Sequence, residues 1–339
     1  MVLSLHLDKT SDDIALHKLH ETCNLAKSIN LNILYSSYFK LRNPSPGHFL
    51  SKGILNKFKK IIKDMNIKLI IFNNNLSPIQ QRNLEKFYNL KVIDRTHLIL
   101  EIFGKRAMSH EGKLQVELAH LLYQKSRLVR TWTHLERQRG GFGFLGGPGE
   151  TQLELDKRML SQRIKKIKSL LIKVSNSREI QQKNRIDNQI ILVSIVGYTN
   201  AGKSTLFNKL LNENVLSKDM LFATLDTTRR IFKDYSYDKI IISDTVGFIS
   251  DLPTELIESF KSTLEEISSS EIIIHVRDLS SPFIESEAKE VYKVLNNIDR
   301  NIESKTIEIF NKIDLYDFDD IQTKFNASEI FISAINGTG

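Results

Sequence analysis

The fold of this chain is decided by the stretch GYTNAGKSTLFN at residues 197–208. The apolar run IILVSIV at 190–196 precedes it and a helical pattern follows, which is the strand–loop–helix context of the phosphate-binding motif G-x-x-x-x-G-K-[ST]. Consecutive backbone N–H groups at the start of such a helix bind phosphate oxygens. We therefore predict that Lys203 reaches the β- and γ-phosphates of a nucleotide and that the Ser204 hydroxyl binds Mg²⁺.

Three further motifs follow in the order expected of a guanine-nucleotide switch protein. DTVG ends a strand, and its aspartate, Asp244, can hold Mg²⁺ through water while the N–H of Gly247 senses the γ-phosphate. NKID ends a later strand, and the carboxylate of Asp314 can accept from both N1–H and N2–H of guanine, a pair of donors that adenine lacks. Ser-Ala-Ile at 333–335 completes a base-binding loop. The series predicts a GTPase with Lys203 and Gly247 in its catalytic machinery.

Two residues bear on the rate of hydrolysis. Phe248 follows DTVG, where other switch proteins place a glutamine that orients the attacking water. Phenylalanine cannot orient water by a hydrogen bond, so we expect slow hydrolysis alone and faster hydrolysis with a partner. Asn200 lies inside the phosphate loop, as in GTPases that use K⁺ near the β/γ bridge. A purely structural role for Asn200 in shaping the loop stays open beside it.

The whole chain is predicted to be an α/β protein with three domains. Residues 1–104 alternate strands and helices as a small, largely parallel α/β domain, with strands at 3–7, 31–37, 68–74 and 91–95. Residues 189–339 form a P-loop GTPase domain with a mostly parallel sheet, and since the chain stops after the Ser-Ala loop we expect the final helix of that domain to be missing.

Residues 105–188 separate these two domains and are predicted to form a basic antiparallel helical hairpin. Two apolar seams at 3/4 spacing flank the glycine-rich stretch RGGFGFLGGPGE at 139–150, which is expected to be the tip. The segment holds eighteen Lys or Arg against eight Asp or Glu, a net charge of +10, whereas the whole chain has a net charge of +8. This excess of positive charge predicts contact with a polyanion, and it favours RNA over other polyanions. Four arginines of the hairpin are our candidates for this RNA contact: Arg127, Arg130, Arg137 and Arg139.

Composition excludes several other classes of protein. The hydrophobic fraction of 41% and the charged fraction of 26% are those of a globular protein. One cysteine, Cys23, can build neither a disulfide framework nor a cysteine zinc site. No apolar run approaches the roughly 20 residues of a membrane span, and the N-terminus has no secretory signal pattern. We expect a cytoplasmic monomer that binds no DNA and has no membrane insertion, with peripheral membrane association left open.

The sequence resembles the HflX family of ribosome-associated GTPases over nearly its whole length. Within the GTPase domain the resemblance rests on LFATLD at 221–226 and DTVGFI at 244–249, and outside it on HEGKLQVELA at 110–119 and GPGETQLELDKR at 147–158. It implies that Thr224 joins Ser204 as a Mg²⁺ ligand and acts in catalysis. The implied nucleotide contacts are Gly197, Tyr198, Thr199, Asn200, Ala201, Gly202, Lys203, Ser204, Phe222, Ala223, Thr224, Leu225, Asp226, Asp244, Thr245, Val246, Gly247, Asn311, Lys312, Ile313, Asp314, Ser333, Ala334 and Ile335.

The resemblance further implies GTP and GDP as substrate and product, and binding to the large ribosomal subunit with splitting or rescue of stalled ribosomes. Two alternatives stay open at this point. One is a GTP-dependent regulatory adaptor for a protein partner. The other is a potassium-dependent GTPase of the kind that acts in tRNA modification, against which stands the lack of a cysteine in the GTPase domain.

Overall fold

The computed structural model of the protein describes residues 1–7, 10–138, 152–211, 221–222, 224–232, 239–299, 301–316 and 329–339. The chain forms two compact units, each built from two segments. Unit 1 comprises Met1–Lys105 and Glu117–Lys168, and unit 2 comprises Arg106–Val116 and Ser169–Gly339. The ends of the predicted hairpin segment therefore group with the GTPase domain and its middle with the N-terminal domain. The three-domain division stays a prediction.

Unit 1 contains a four-stranded parallel sheet, as the alternation of strands and helices predicts. Its strand order is β2-β1-β3-β4, with β1 (Val2–Leu7), β2 (Ser36–Leu41), β3 (Leu69–Phe72) and β4 (Lys91–Ile93). The helices that alternate with them are α1 (Asp12–Ser28), α2 (Lys52–Asp64), α3 (Pro78–Tyr88) and α4 (Arg95–Arg106). β2 begins later than the apolar run at 31–37 predicts. As the edge strand it pairs only with β1, and an edge strand tolerates the polar sequence SSYFKL.

The core of unit 1 lies between β1, β3 and helices α2 and α3. Leu3, Phe58, Phe72 and Leu84 are fully buried there. The α3 helix starts at a capping box, in which Ser77 and Gln80 satisfy each other's backbone N–H groups and Pro78 occupies the first turn. Burial of apolar side chains on the sheet thus stabilises unit 1, and the capping box determines where α3 begins.

The predicted helical pair is confirmed as α5 (His110–Gln138) and α6 (Gln152–Asp187). Ion pairs join Glu117 to Arg163 and Glu111 to Arg178, so the partners on α6 run in the reverse order of those on α5, as in an antiparallel pair. The apolar seams supply buried side chains from both helices, namely Leu114, Leu118, Leu121, Ile164 and Ile167. The predicted glycine-rich tip at 139–150 lies outside the described residues.

Unit 2 contains a six-stranded sheet of order β10-β9-β8-β5-β7-β6, parallel except at one edge. Its strands are β5 (Ile191–Gly197), β6 (Thr228–Phe232), β7 (Ile240–Asp244), β8 (Ile272–Asp278), β9 (Thr306–Asn311) and β10 (Ile330–Ile332). Its helices are α7 (Lys203–Leu211), α8 (Thr254–Ser259), α9 (Lys261–Ser268) and α10 (Ile284–Asn296), with short 3₁₀ turns at Ile302–Lys305 and Ile313–Leu315.

The β6 strand is the strand of unit 2 that the sequence does not predict. It pairs antiparallel with β7 at the edge of the sheet and has the sequence TRRIF. An edge strand exposes much of its surface, so it lacks the continuous apolar run that identifies the inner strands. In the part of the chain that the structure describes, no helix is long and apolar enough to cross a membrane.

Candidate functional site

The predicted phosphate loop lies at the carboxyl end of β5 and runs into α7. Gly197 has a φ of 151°, and a Cβ there would collide with the carbonyl oxygen of Val276. Gly202 has a φ of 93°, and a Cβ there would collide with the Asn311 side-chain amide. Both glycines of the motif are therefore required by close backbone approach as well as by conformation.

Lys203 begins α7 and is buried at the centre of this loop. Its Nζ donates to the carbonyl oxygen of Tyr198 at 2.7 Å. Burial lowers the pKa of Lys203 to about 8, partly offset by the negative charge of Asp244. A buried ammonium group with one acceptor among the described residues is suited to bind the negative oxygens of a phosphate.

Three side-chain oxygen atoms converge beside the loop where the sequence predicts Mg²⁺. The Ser204 hydroxyl lies 2.7 Å from Oδ2 of Asp244 and 2.9 Å from the Thr224 hydroxyl, and the latter donates to the same carboxylate oxygen at 3.0 Å. Oδ1 of Asp244 is buried without a hydrogen-bond partner among the described residues, and burial raises the pKa of Asp244. Hard oxygen donors around an under-satisfied carboxylate fit Mg²⁺.

The base-binding loops are joined to the phosphate loop by one buried side chain, Asn311. Its Nδ2 donates to the carbonyl oxygen of Ala201 at 2.9 Å, and its Oδ1 accepts from the N–H of Ala334 at 2.9 Å. The exposed Asp314 accepts from the Ser333 hydroxyl at 2.5 Å. The Ser333 hydroxyl thus fixes the Asp314 carboxylate against the loop at which guanine is expected.

Lys312, Ile313 and Ile335 complete the predicted base-binding set. Lys312 adopts a left-handed φ of 74° and pairs with Asp278 at 2.5 Å, so its aliphatic stem is held at the carboxyl ends of β8 and β9. Ile335 is 68% exposed after β10. A lysine stem and an exposed isoleucine offer apolar surface to the faces of a base.

Phe248 is 1% exposed, and its backbone pairs with the phosphate loop. Its N–H donates to Gly197 O at 3.1 Å and its carbonyl accepts from Thr199 N at 2.7 Å. The side chain thus belongs to the core, which agrees with the expectation that it orients no water. Gly247 precedes it, and a Cβ there would lie 2.8 Å from Thr199 Cγ2 and 3.0 Å from Lys203 Nζ. Only glycine allows DTVG to approach the phosphate loop this closely.

The implied contacts of the 222–226 segment divide into several groups. Phe222 and Leu225 are buried, Thr224 lies at the metal site, and Ala223 lies outside the described residues. Asp226 accepts hydrogen bonds from the start of α5. Among the remaining predicted residues, the Thr245 hydroxyl donates to Ile195 O at 2.7 Å and Val246 is buried.

The rRNA candidate Arg127 is already engaged within unit 1. Its guanidinium donates to Asp94 at 3.1 Å, to the Tyr123 hydroxyl at 2.7 Å and to Gln81. A guanidinium with several fixed protein acceptors holds α5 against the sheet instead of offering its donors to phosphate. The side chains of Arg130 and Arg137 on α5, and all of Arg139, lie outside the described part of the chain.

Sequence reasoning missed a group of charged residues in unit 2. Glu266 on α9 pairs with Arg229 of β6 at 2.6 Å and with Arg178 of α6 at 3.5 Å. Arg178 also pairs with Glu111 of α5 at 2.7 Å. The four residues lie far apart in sequence and match no motif, so only the folded chain identifies them as partners.

Family models cover most of the chain in three parts. "GTP-binding GTPase N-terminal" matches residues 17–104, "GTP-binding GTPase Middle Region" matches 106–185, and "50S ribosome-binding GTPase" matches 192–312. The last range contains the phosphate loop, DTVG and the first two residues of NKID.

Curated relatives match over nearly the same extent. "GTPase HflX" of Magnetococcus marinus is 46% identical over 90% of this chain and 71% of its own length. "GTPase HflX" of Escherichia coli is 42% identical over 97% of this chain and 78% of its own length. A solved structure described as "SsGBP and GDP complex" superposes with a TM-score of 0.54 at 24% identity, covering 99% of this chain and 94% of that one, and so shares the fold.

Proposed function

Because the chain belongs to the HflX family of GTPases, and so binds and hydrolyses GTP, we propose that it acts on the large ribosomal subunit and splits or rescues stalled ribosomes. The observation that carries this proposal is the charge of the α5–α6 hairpin segment, which holds eighteen Lys or Arg against eight Asp or Glu. The family model over the GTPase domain is described as a ribosome-binding one, which supports the same partner. This role would place the protein in the cytoplasm.

The described part of α6 presents this charge to solvent. Exposed basic residues of the helix include Arg158, Lys165, Lys166, Lys168 and Lys173. Phosphate contacts of this kind make binding strong, independent of sequence and dependent on salt. We therefore assign the rRNA-binding surface to this exposed series and keep Arg130, Arg137 and Arg139 as further candidates. Arg127 is left out because Asp94 and Gln81 already bind its guanidinium.

Within the GTPase site, each residue has a role that follows from its place. Lys203 and the backbone N–H groups of 197–204 bind the phosphates, and the N–H of Gly247 reports the γ-phosphate. Mg²⁺, when bound by Ser204 and Thr224 with Asp244 behind a water, supplies positive charge to the β- and γ-phosphate oxygens. Asp314 selects guanine. Because Phe248 offers no hydrogen bond to water, the ribosome or another residue supplies the group that orients the nucleophile.

We extend the proposal to K⁺ at the phosphate loop. Asn200 is exposed and has a left-handed φ of 65°, which places it at the surface of the loop. A side-chain amide oxygen there can help to hold a monovalent cation beside the phosphates. Hydrolysis in K⁺ should then exceed hydrolysis in Na⁺ at equal ionic strength, and Asn200→Ala should remove the difference. Equal rates in both salts would leave Asn200 with a loop-shaping role.

Co-sedimentation with isolated large subunits tests the ribosomal role. The protein should sediment with subunits when a non-hydrolysable GTP analogue is present and less so with GDP. Turnover of GTP should also rise on addition of subunits. Binding that is equal in both nucleotides, together with unchanged turnover, would favour an adaptor for another partner.

The exposed α6 surface is tested by matched triple variants. Replacement of Lys165, Lys168 and Lys173 by Ala should weaken subunit binding and flatten the log–log salt dependence by about 2 to 3, since each phosphate contact contributes roughly 0.7–0.9. The control variant removes three exposed lysines of unit 2, Lys261, Lys289 and Lys293. It changes the net charge equally and should keep the wild-type slope. Equal slopes for the two variants would assign the effect to net charge alone.

A further inference from the structure

Asp226 binds the N-terminal turn of α5. Its Oδ2 accepts from the N–H groups of Met108 and Ser109, both at 2.8 Å, and its Oδ1 accepts from the Ser109 hydroxyl at 2.5 Å. Since α5 begins at His110, these donors belong to the start of the helix, where N–H groups lack intrahelical partners and the helix dipole is positive. A carboxylate receives charge-assisted hydrogen bonds there. We call this set of bonds the Asp226–α5 contact.

The same segment carries the Mg²⁺ ligand expected from the sequence. Thr224 precedes Asp226 by two residues, and its hydroxyl lies 2.9 Å from that of Ser204 and 3.0 Å from the Asp244 carboxylate. Two residues of extended chain span at most about 7 Å. Fixing the Asp226 carboxylate on α5 therefore restricts where the Thr224 hydroxyl can lie.

Gly112 makes the close approach possible. Its N–H donates to the Ser109 hydroxyl at 2.8 Å, and a Cβ at position 112 would collide with Oδ1 of Asp226 and approach the Ser109 hydroxyl at 3.0 Å. Met108 and Asp226 are 118 residues apart in sequence, so the contact forms only in the folded chain. Three donors to one carboxylate, together with the space left by Gly112, distinguish this contact from an incidental surface hydrogen bond.

A second connection runs in parallel between the same elements. Arg229, just beyond Asp226 on β6, pairs with Glu266, and Glu266 meets Arg178, which pairs with Glu111 in the first turn of α5. The segment that contains Thr224 is thus joined to the start of α5 by hydrogen bonds at Asp226 and by ion pairs through α9 and α6.

We propose that Asp226 is a positioning residue for GTP hydrolysis, which holds Thr224 at the Mg²⁺ site by binding the start of α5. The proposal rests on the Mg²⁺ role of Thr224 put forward above. Because coupling between two sites is reciprocal, Mg²⁺ and the γ-phosphate, by ordering Thr224, also strengthen the Asp226–α5 contact. The first turn of α5 therefore responds to which nucleotide is bound.

Amide hydrogen exchange of Met108 and Ser109 measures the contact directly. In the wild type, exchange should be slower with Mg²⁺ and a non-hydrolysable GTP analogue than with Mg²⁺ and GDP. In Asp226→Ala, exchange should be faster and should differ much less between the two nucleotides, because only the ion pairs through Arg229 and Glu266 then join the segment to α5. The control Glu290→Ala removes a carboxylate from α10, where Glu290 pairs with Lys293, and should behave as wild type. A difference between the two nucleotides as large in Asp226→Ala as in the wild type would overturn the proposal.

Mg²⁺ titration supplies the functional readout. Asp226→Ala should raise the Mg²⁺ concentration for half-maximal binding of the GTP analogue by about tenfold and lower kcat, whereas GDP affinity should change less than twofold. Gly112→Ala, which displaces the carboxylate from the other side, should shift the Mg²⁺ dependence in the same direction. Unchanged Mg²⁺ dependence in both variants would refute the positioning role.

Ser109→Asp separates positioning from simple helix stability. The new carboxylate can cap α5 in place of the serine hydroxyl and repels Asp226, so the helix keeps its cap while the contact is lost. Circular dichroism and Tm should match the wild type while the Mg²⁺ defect of Asp226→Ala is reproduced. A wild-type Mg²⁺ dependence in this variant would show that Asp226 serves only to stabilise the helix.

Thr224→Ala tests the metal role of Thr224 separately from the positioning role of Asp226. If wild type and Thr224→Ala share one Mg²⁺ dependence, the proposed metal role of Thr224 is wrong and the positioning role falls with it. If Thr224→Ala is defective while Asp226→Ala is not, the metal role stands and Asp226 has no part in positioning.

Discussion

Replacing Asn311 by alanine should cut the connection between the phosphate loop and the base-binding loop. Asn311 is 2% exposed, and its amide bonds the carbonyl of Ala201 on one side and the N–H of Ala334 on the other, both at 2.9 Å. Both alanines are buried, so the groups left behind have little access to water. The expected result is loss of affinity for every guanine nucleotide, with base preference retained because Asp314 is untouched.

The size of the effect follows from the two backbone groups that lose their hydrogen-bond partner, the carbonyl of Ala201 and the N–H of Ala334. An unsatisfied buried donor or acceptor costs about 1–3 kcal/mol, so the pair costs about 2–6 kcal/mol. Water that enters the space of the lost amide can bond one of them, which favours the lower half of that range. A loss of about 2–4 kcal/mol in binding corresponds to roughly 30- to 700-fold weaker affinity.

Displacement of a fluorescent GDP analogue measures this affinity, and urea unfolding of the unliganded protein measures any share of the cost that falls on global stability. Asn296→Ala is the matched control, because Asn296 is an exposed asparagine whose amide makes a 3.0 Å bond to Glu303 away from the loops. Affinity within threefold of wild type, with an unchanged urea midpoint, would refute the argument that Asn311 holds the two loops together.

Three further outcomes are expected from single residues. Asp314→Asn should lower GTP affinity and raise affinity for xanthosine triphosphate, as measured by competition; unchanged GTP binding would remove Asp314 from base recognition. Lys203→Met should abolish GTP binding yet raise the free energy of unfolding of the unliganded protein at pH 7, because the buried ammonium opposes folding. The pKa of Lys203 is about 8 in the folded protein and 10.5 for an ordinary lysine, so between these pH values the unfolded chain binds the proton that the folded protein has lost. The free energy of unfolding of the wild type should therefore rise with pH over this range relative to that of the variant. Parallel pH profiles of the two proteins would contradict this expectation. Glu308→Gln should remove a loss of stability as pH falls from 4.5 towards 2. The His275 imidazole 3.7 Å from the carboxylate, together with hydrogen bonds from Tyr292 and Arg277, lowers the pKa of Glu308 to about 2; a wild-type acid profile would exclude this contribution.

The nucleotide site is the part of this protein that the sequence predicts best. The phosphate loop depends on backbone conformation over a few consecutive residues, and the glycines, lysine and serine that this conformation requires are adjacent in the chain. DTVG and NKID end buried parallel strands, whose continuous apolar runs stand out in the sequence. Because the carboxyl ends of such strands share one edge of the sheet, their motifs can be placed together before the structure is known.

Contacts between distant segments were decided only by tertiary structure. From the sequence, Arg127 is predicted to be one of the exposed basic residues of the hairpin, but its guanidinium binds Asp94, 33 residues away. Asp226 reads as part of a nucleotide-binding segment, yet its carboxylate binds the start of α5, 118 residues before it. The sequence indicates that such charged groups need partners. The packing of the helices on the sheets determines which partners lie within hydrogen-bond distance. The sequence by itself therefore determines the chemistry of the phosphate loop, and the folded chain determines how that loop is joined to the helical hairpin.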